Sequence, residues 1–177
     1  VVRATPSGAA VTEAIHMLML TSANQQTCRI TGLAGSGNSV TFGSIPAGTK
    51  MIIVSWDATS FTAGGVTAGI QLGDAGGLEA TGYNQRETDI DATPTATTNT
   101  VTTQFVVLAN PATSNYGQAI LVLEDSTNFT WSCQSTSNTS SICMGAGIKA
   151  LSAELTQLAF MTGGTFDAGA VNIAYIS

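Results

Sequence analysis

The chain has 177 residues, enough for one domain with a full hydrophobic core and no need of disulfides to hold it. Apolar residues make up 44%, which excludes a disordered chain, while charged residues are only 9%, against about 25% in ordinary soluble proteins. The net charge is −6, and the cations Arg3, Arg29, Lys50, Arg86 and Lys149 are scattered, so no patch neutralises several phosphates and nucleic acid is not an expected partner.

Residues 1–13 have no periodic pattern and are expected to form an extended arm, with a β-domain over 14–177. Strands are predicted at Ala14–Thr21, Thr27–Leu33, Ser39–Gly43, Lys50–Trp56, Thr67–Leu72, Gln104–Ala109, Gln118–Glu124, Phe129–Cys133 and Ala170–Ile176. Glycine- and proline-bearing turns separate them, among them Gly35-Ser36-Gly37-Asn38, Ile45-Pro46-Ala47-Gly48, Asp74-Ala75-Gly76-Gly77 and Asn110-Pro111. Within Asn128–Cys133, Phe129, Trp131 and Cys133 share one face, and within Ala170–Ile176, Val171, Ile173 and Tyr175 do so. Met51-Ile52-Ile53-Val54 and Ala119-Ile120-Leu121-Val122-Leu123 are continuous apolar runs, expected to be buried on both faces, in a sandwich interior or under a partner chain. Thr88–Thr103 is polar, contains Pro94, and is predicted to be a long exposed loop. Leu151, Leu155 and Leu158 have helical spacing, but a short turn leading into a strand is the favoured reading.

Many short strands, Gly-rich turns and no βαβ alternation give an all-β chain: an antiparallel β-sandwich, jelly-roll-like, with a short N-terminal extension. Roughly one residue in four is Ser or Thr, and Thr suits a pleated surface. A surface rich in neutral polar groups suits packing against identical neighbours, because such groups cost less to desolvate than ions. The apolar run Ile15–Leu20 is too short to span a bilayer and lacks a basic leader, so no membrane partner is expected. Cys28, Cys133 and Cys143 are too few for a disulfide framework. Cys133 and Cys143 flank a polar hairpin-like stretch, which leaves open a bridge between them or two buried free thiols.

The segments Met51-Ile52-Ile53-Val54-Ser55-Trp56, Gly69 to Tyr83 (with Gln71-Leu72-Gly73-Asp74, Gly76-Gly77, Glu79 and Thr81-Gly82-Tyr83), Asn128-Phe129-Thr130-Trp131, Leu155 to Thr162 and Gly164 to Tyr175 occur together. In that combination the chain resembles, over roughly residues 40–177, a small β-sandwich domain of tailed-bacteriophage structural proteins, found in capsid decoration or head-fibre proteins and at tail-fibre tips. The resemblance implies a jelly-roll-like sandwich, a homotrimer and a place on the virion. Little precedes the domain here, which favours a capsid decoration (cement) protein, a viral structural protein whose partners are its own copies and the major capsid protein. The alternative is a glycan-binding tip of a tail fibre or tailspike, which an exposed aromatic patch near Trp56 or Tyr83 would mark.

The chemistry-bearing residues give no catalytic, cofactor-binding or metal site, and no enzyme is expected. His16, the sole histidine, sits in an apolar run and suits a core or interface position better than a base in a cleft. One histidine and three dispersed cysteines do not make a zinc site. Asp57, Asp74, Glu79, Glu124, Asp125 and Asp167 are the carboxylates for a glycosidase-like pair, but their neighbours suit turn-shaping better. Glu87, Asp89 and Asp91 alternate as calcium ligands do, yet lack the loop glycine and distal Glu, and a solvated acidic loop is favoured. Gly73-Asp74-Ala75-Gly76-Gly77 lacks a phosphate loop's ending and is expected to be a tight turn. Trp56, Trp131 and Tyr83 are candidate sugar-stacking rings whose expected role is packing. Asn128-Phe129-Thr130 and Asn138-Thr139-Ser140 match the glycosylation pattern, relevant only in a secreted eukaryotic chain.

Overall fold

A computed structural model describes residues 25–31, 38–62, 67–90, 96–109, 114–138 and 141–177. The arm over 1–13, the strand expected at Ala14–Thr21, His16 and Asp91 lie outside them. The described residues form thirteen strands and no helix. They are β1 (Gln25–Thr31), β2 (Ser39–Phe42), β3 (Met51–Phe61), β4 (Thr67–Asp74), β5 (Gly77–Leu78), β6 (Tyr83–Ile90), β7 (Ala96–Val101), β8 (Phe105–Ala109), β9 (Asn115–Asp125), β10 (Thr130–Asn138), β11 (Ile142–Ala150), β12 (Gln157–Thr162) and β13 (Phe166–Ile176).

The larger sheet has the order β1-β13-β3-β9-β10-β11-β6-β7, and the smaller runs β2-β12-β4-β5, with β8 pairing the first half of β4 on the edge that β5 also borders. Every pairing is antiparallel. The protein is an antiparallel β-sandwich, as the strand spacing predicts. Period-two alternation builds the core. Ile52, Val54 and Trp56 point inward from β3, Leu121 from β9, Trp131 from β10 and Ile173 from β13. They meet Phe42, Ile70, Leu72, Leu158 and Phe160 of the smaller sheet. Aromatic rings bridge the layers: Trp56 lies 5.4 Å from Phe160, and Tyr83 stands edge-on to Phe105 at 4.9 Å. Such pairs add about 0.5–1.5 kcal/mol each beyond their buried area.

Two expectations are corrected. Thr88–Thr103 is not one long loop: β6 and β7 pair from Gln85↔Val101 to Ile90↔Ala96. Thr is β-branched and completes an edge strand without apolar alternation. Second, the sandwich interior covers only one face of the runs Met51–Val54 and Ala119–Leu123 among the described residues, which leaves cover by a partner chain as the open reading. Ile52, Val54, Ala119 and Leu121 are buried and Leu123 packs against the core, whereas on the other side Met51, Ile53 and Val122 are half-buried and Ile120 is exposed. No described strand packs over that outer side. The segment from Leu151 turns without helix into β12, as expected.

Candidate functional site

Polar side chains inside the sandwich gather at two places. The first joins the β4–β5 turn to the end of β11. Gly73 passes so close to Gly77 that an added Cβ would meet its carbonyl oxygen at 2.5 Å, and Gly77 has φ +126°, a left-handed backbone suited to glycine. This is the tight turn expected there. Asp74 Oδ1 accepts from the Gly76 N–H at 2.7 Å, and Asp74 Oδ2 accepts from the Ser152 hydroxyl at 2.5 Å. The hydrogen bond from Ser152, then that from Gly76, holds the Asp74 carboxyl below its ordinary range. Glu79 accepts from the Ser152 N–H at 2.8 Å and pairs with Lys149, which is only 4% exposed. Lys149 also donates to the Ala150 carbonyl at 2.5 Å and lies 5.6 Å from the Tyr83 ring centre. Burial acts to raise the Glu79 carboxyl, but the bonds from Lys149 and Ser152 outweigh it, and its pKa is lowered. Burial raises the Tyr83 phenol, whose oxygen accepts from the Leu72 N–H at 2.7 Å. Each group is committed to a structural bond, so this cluster is a latch between turn and strand.

The second place is the inner side of β6. The Gln85 amide is fully buried and holds Val106 at both ends, accepting from its N–H at 2.5 Å and donating to its C=O at 2.8 Å. It links β6 of the larger sheet to β8 of the smaller. Glu87 is buried and accepts from the Cys143 thiol at 3.4 Å. The expected solvated acidic loop is therefore corrected: Glu87 and Asp89 lie on a strand, with Glu87 turned into the interior. Among the described residues no group of three or more His, Cys, Asp or Glu side chains is placed to hold a metal. Cys133 and Cys143 are both buried free thiols. The bridge between them is excluded by register, since Cys133 faces Gly147 and Cys143 faces Ser137. Burial pushes the Cys133 thiol up to about 12.

Three further carboxylates have local partners, while Asp89 Oδ1 is buried without a hydrogen-bond partner among the described residues. Glu124 accepts from Ser132 at 2.5 Å, and Asp167 accepts from Ser60. Asp125 accepts from Asn128 Nδ2 and from the Thr127 N–H, both at 2.7 Å, which lowers its pKa and shapes the turn before Phe129. Asp57 stands exposed on β3. Trp56, Tyr83 and Trp131 are each 2% exposed and belong to the core, so the aromatic patch that would mark a sugar-binding tip is not at Trp56 or Tyr83.

What stays uncovered is the outer face of the larger sheet. The large apolar residues that are exposed among those described are Ile90, Tyr116, Ile120, Ile142, Met144 and Ile148. All six lie on one face of four consecutive strands. The ladder pairs place them in rows across the sheet: Ile90–Ile142–Asn138–Tyr116, Thr88–Met144–Thr136–Gln118, Arg86–Ala146–Gln134–Ile120 and Asn84–Ile148–Ser132–Val122. Residues directly opposite one another share a face, so each row is a row of neighbouring side chains. An open groove of about 610 Å³ runs over the middle rows, between Met144, Ile120, Gln118 and Arg86, and no carboxylate lines it. It continues toward Tyr116 and Ile142.

Sequence reasoning missed this surface because β11 was not recognised as a strand. Its alternation, Ile142, Met144, Ala146 and Ile148 against Cys143, Gly145, Gly147 and Lys149, is clean. Gly145 and Gly147 are places where neighbours come close: a Cβ on Gly145 would meet Gln85 Nε2 at 2.5 Å. The alternation was the available signal, and it predicts the opposite side to the one that faces in.

No family model matches the chain, and no curated protein matches it.

Proposed function

We propose that this chain is a structural protein of a bacteriophage virion, a decoration or cement protein on the head that works through contact area. One observation carries the proposal: every large apolar side chain left exposed among the described residues stands on the outer face of one sheet. Scattered exposed apolar residues are ordinary, but exposed apolar side chains gathered on one face, here on both sides of the polar outer side of β10, point to an interaction surface. The polar groups between them are the neutral amides and hydroxyls of Gln118, Gln134, Thr136 and Ser132. They are desolvated at lower cost than ions. Each Å² of apolar surface covered contributes about 25 cal/mol before the cost of association. With several copies seated at once on a shell, avidity multiplies a modest single contact. Asp74, Glu79, Glu87 and Lys149 are engaged in structural hydrogen bonds, which supports a non-enzymatic reading.

Antibody against the chain, applied to particles of the phage that encodes it, is expected to label the head surface. Unlabelled particles overturn the virion assignment.

A second reading has its own observation. Tyr116 is 51% exposed beside Gln118, Thr136 and Asn138, an arrangement of ring and amides that suits stacking on a sugar. Label on the tail alone, together with glycan binding abolished by Tyr116→Ala, would favour a host-recognition tip.

A further inference from the structure

We infer that the outer face of the larger sheet packs against the same face of a second copy, about a two-fold axis that sets Arg86 of each copy against Glu124 of the other. The inference rests on reading this face as a contact surface and adds its occupant. Three observations point to a second copy meeting face on face.

The first is the location of apolar surface. Among the described side chains the six exposed large apolar ones are all on this face, so the apolar surface that a second copy presents there is the same face. Like meeting like makes an isologous contact, and isologous contacts are two-fold. Two flat faces lie fully on each other; three broad sheet faces around one axis touch only along their margins.

The second is area. Rows extend from β6 through β11, β10, β9 and β3 to β13, as in Arg86–Ala146–Gln134–Ile120–Ile53–Ala174. At about 4.8 Å between strands and about 3.4 Å per residue, three rows across six strands and a fourth across four outline roughly 700 Å². A stable complex buries about 800 Å² on each partner.

The third is charge. The chain carries −6, so contact between copies is opposed wherever carboxylates meet. Asp57 is exposed on the outer side of β3, beyond Ser55 at the margin of the face; the outward side chains of β9, β10, β11 and β6 include only two charged ones, Arg86 on β6 and Glu124 on β9. They have opposite signs and flank the apolar rows on opposite strands. Arg86 has no ion-pair partner among the described residues, where the one salt bridge joins Lys149 to Glu79. An axis lying in the interface, crossing at right angles the midpoint between Arg86 and Glu124, forms that ion pair twice.

Sedimentation of the full chain tests this. The wild type is expected to be a dimer. Met144→Lys, which puts a charge on the groove, is expected to give a folded monomer with unchanged circular dichroism. Arg86→Glu and Glu124→Arg are each expected to weaken the dimer about tenfold or more, and the double exchange to restore it. A wild-type trimer, the state the phage resemblance implies, overturns the inference while leaving the contact reading in place. So does a monomer, whether the face is open or covered by another segment of the chain. A dimer that survives Met144→Lys overturns the face, and single exchanges that weaken a dimer the double exchange fails to restore overturn the axis. Head labelling is scored on separate particles, so its outcome is independent of these.

Discussion

Across β13, β3 and β9 the side chains between the sheets are Val171, Ile173, Ile52, Val54, Ala119 and Leu121, all buried. Across β11 and β6 they are Cys143, Gly145, Gly147 and Lys149, with Gln85, Glu87 and the one large ring of Tyr83. The outer side shows the converse on β11, where Ile142, Met144 and Ile148 are each about half exposed. One half of the sheet is held by apolar burial. The other is held by the Tyr83–Phe105 contact and by hydrogen bonds that Gln85 and Lys149 donate and Glu87 accepts, and gives its aliphatic side chains to the outside. The difference teaches that a strand's apolar stripe marks where contact is needed, and that need not be the chain's own core.

Substitutions break this comparison in a definite order. Leu121→Ala, in the apolar half, removes a fully buried side chain and is expected to cost about 2–5 kcal/mol in urea unfolding. In the hydrogen-bonded half, Lys149→Met leaves Glu79 without its cation, and with Glu79 partly exposed the expected loss is about 2 kcal/mol. The pH dependence separates the halves further. Asp74 and Glu79 have lowered pKa values in the fold, so their contribution is full above their unfolded values and is lost as pH falls through the folded ones. Melting temperature measured from neutral to acid pH should fall on that limb, and Lys149→Met should flatten the part due to Glu79. A parallel fall in both proteins would show that Lys149 is not what lowers Glu79. The smallest effect is expected at Ser135, whose buried hydroxyl has no hydrogen-bond partner among the described residues. Ser135→Ala should lie within about 0.5 kcal/mol of the wild type, or above it. A loss of more than that would mean the hydroxyl is engaged.

The readable part of the fold was the part built by ordinary patterning. Trp131 and Cys133 are on one face as their spacing predicts, and so are Val171, Ile173 and Tyr175. The Gly73–Gly77 turn was legible because its glycines and Asp74 are what such a turn requires. Strands β6 and β7 were not. Tyr83-Asn84-Gln85-Arg86-Glu87 alternates polar with polar, and the inward position of Gln85 depends on Val106, reached across the other sheet. Cys133 and Cys143 looked bridgeable because hairpin geometry alone does not give register; the ladder offsets them by four residues.

By itself, the sequence determined the class of the protein: period-two alternation, abundant Thr and Gly-rich turns leave antiparallel sheets as the way to satisfy both backbone and apolar side chains. It also determined how little charge there is to place. Only the tertiary structure decided which face of each strand looks inward. Alternation is symmetric under exchange of its two faces, and the choice is made by the opposite sheet, where Phe105, Val106 and Phe160 await partners. That choice turned Ile142, Met144 and Ile148 outward and made the candidate surface.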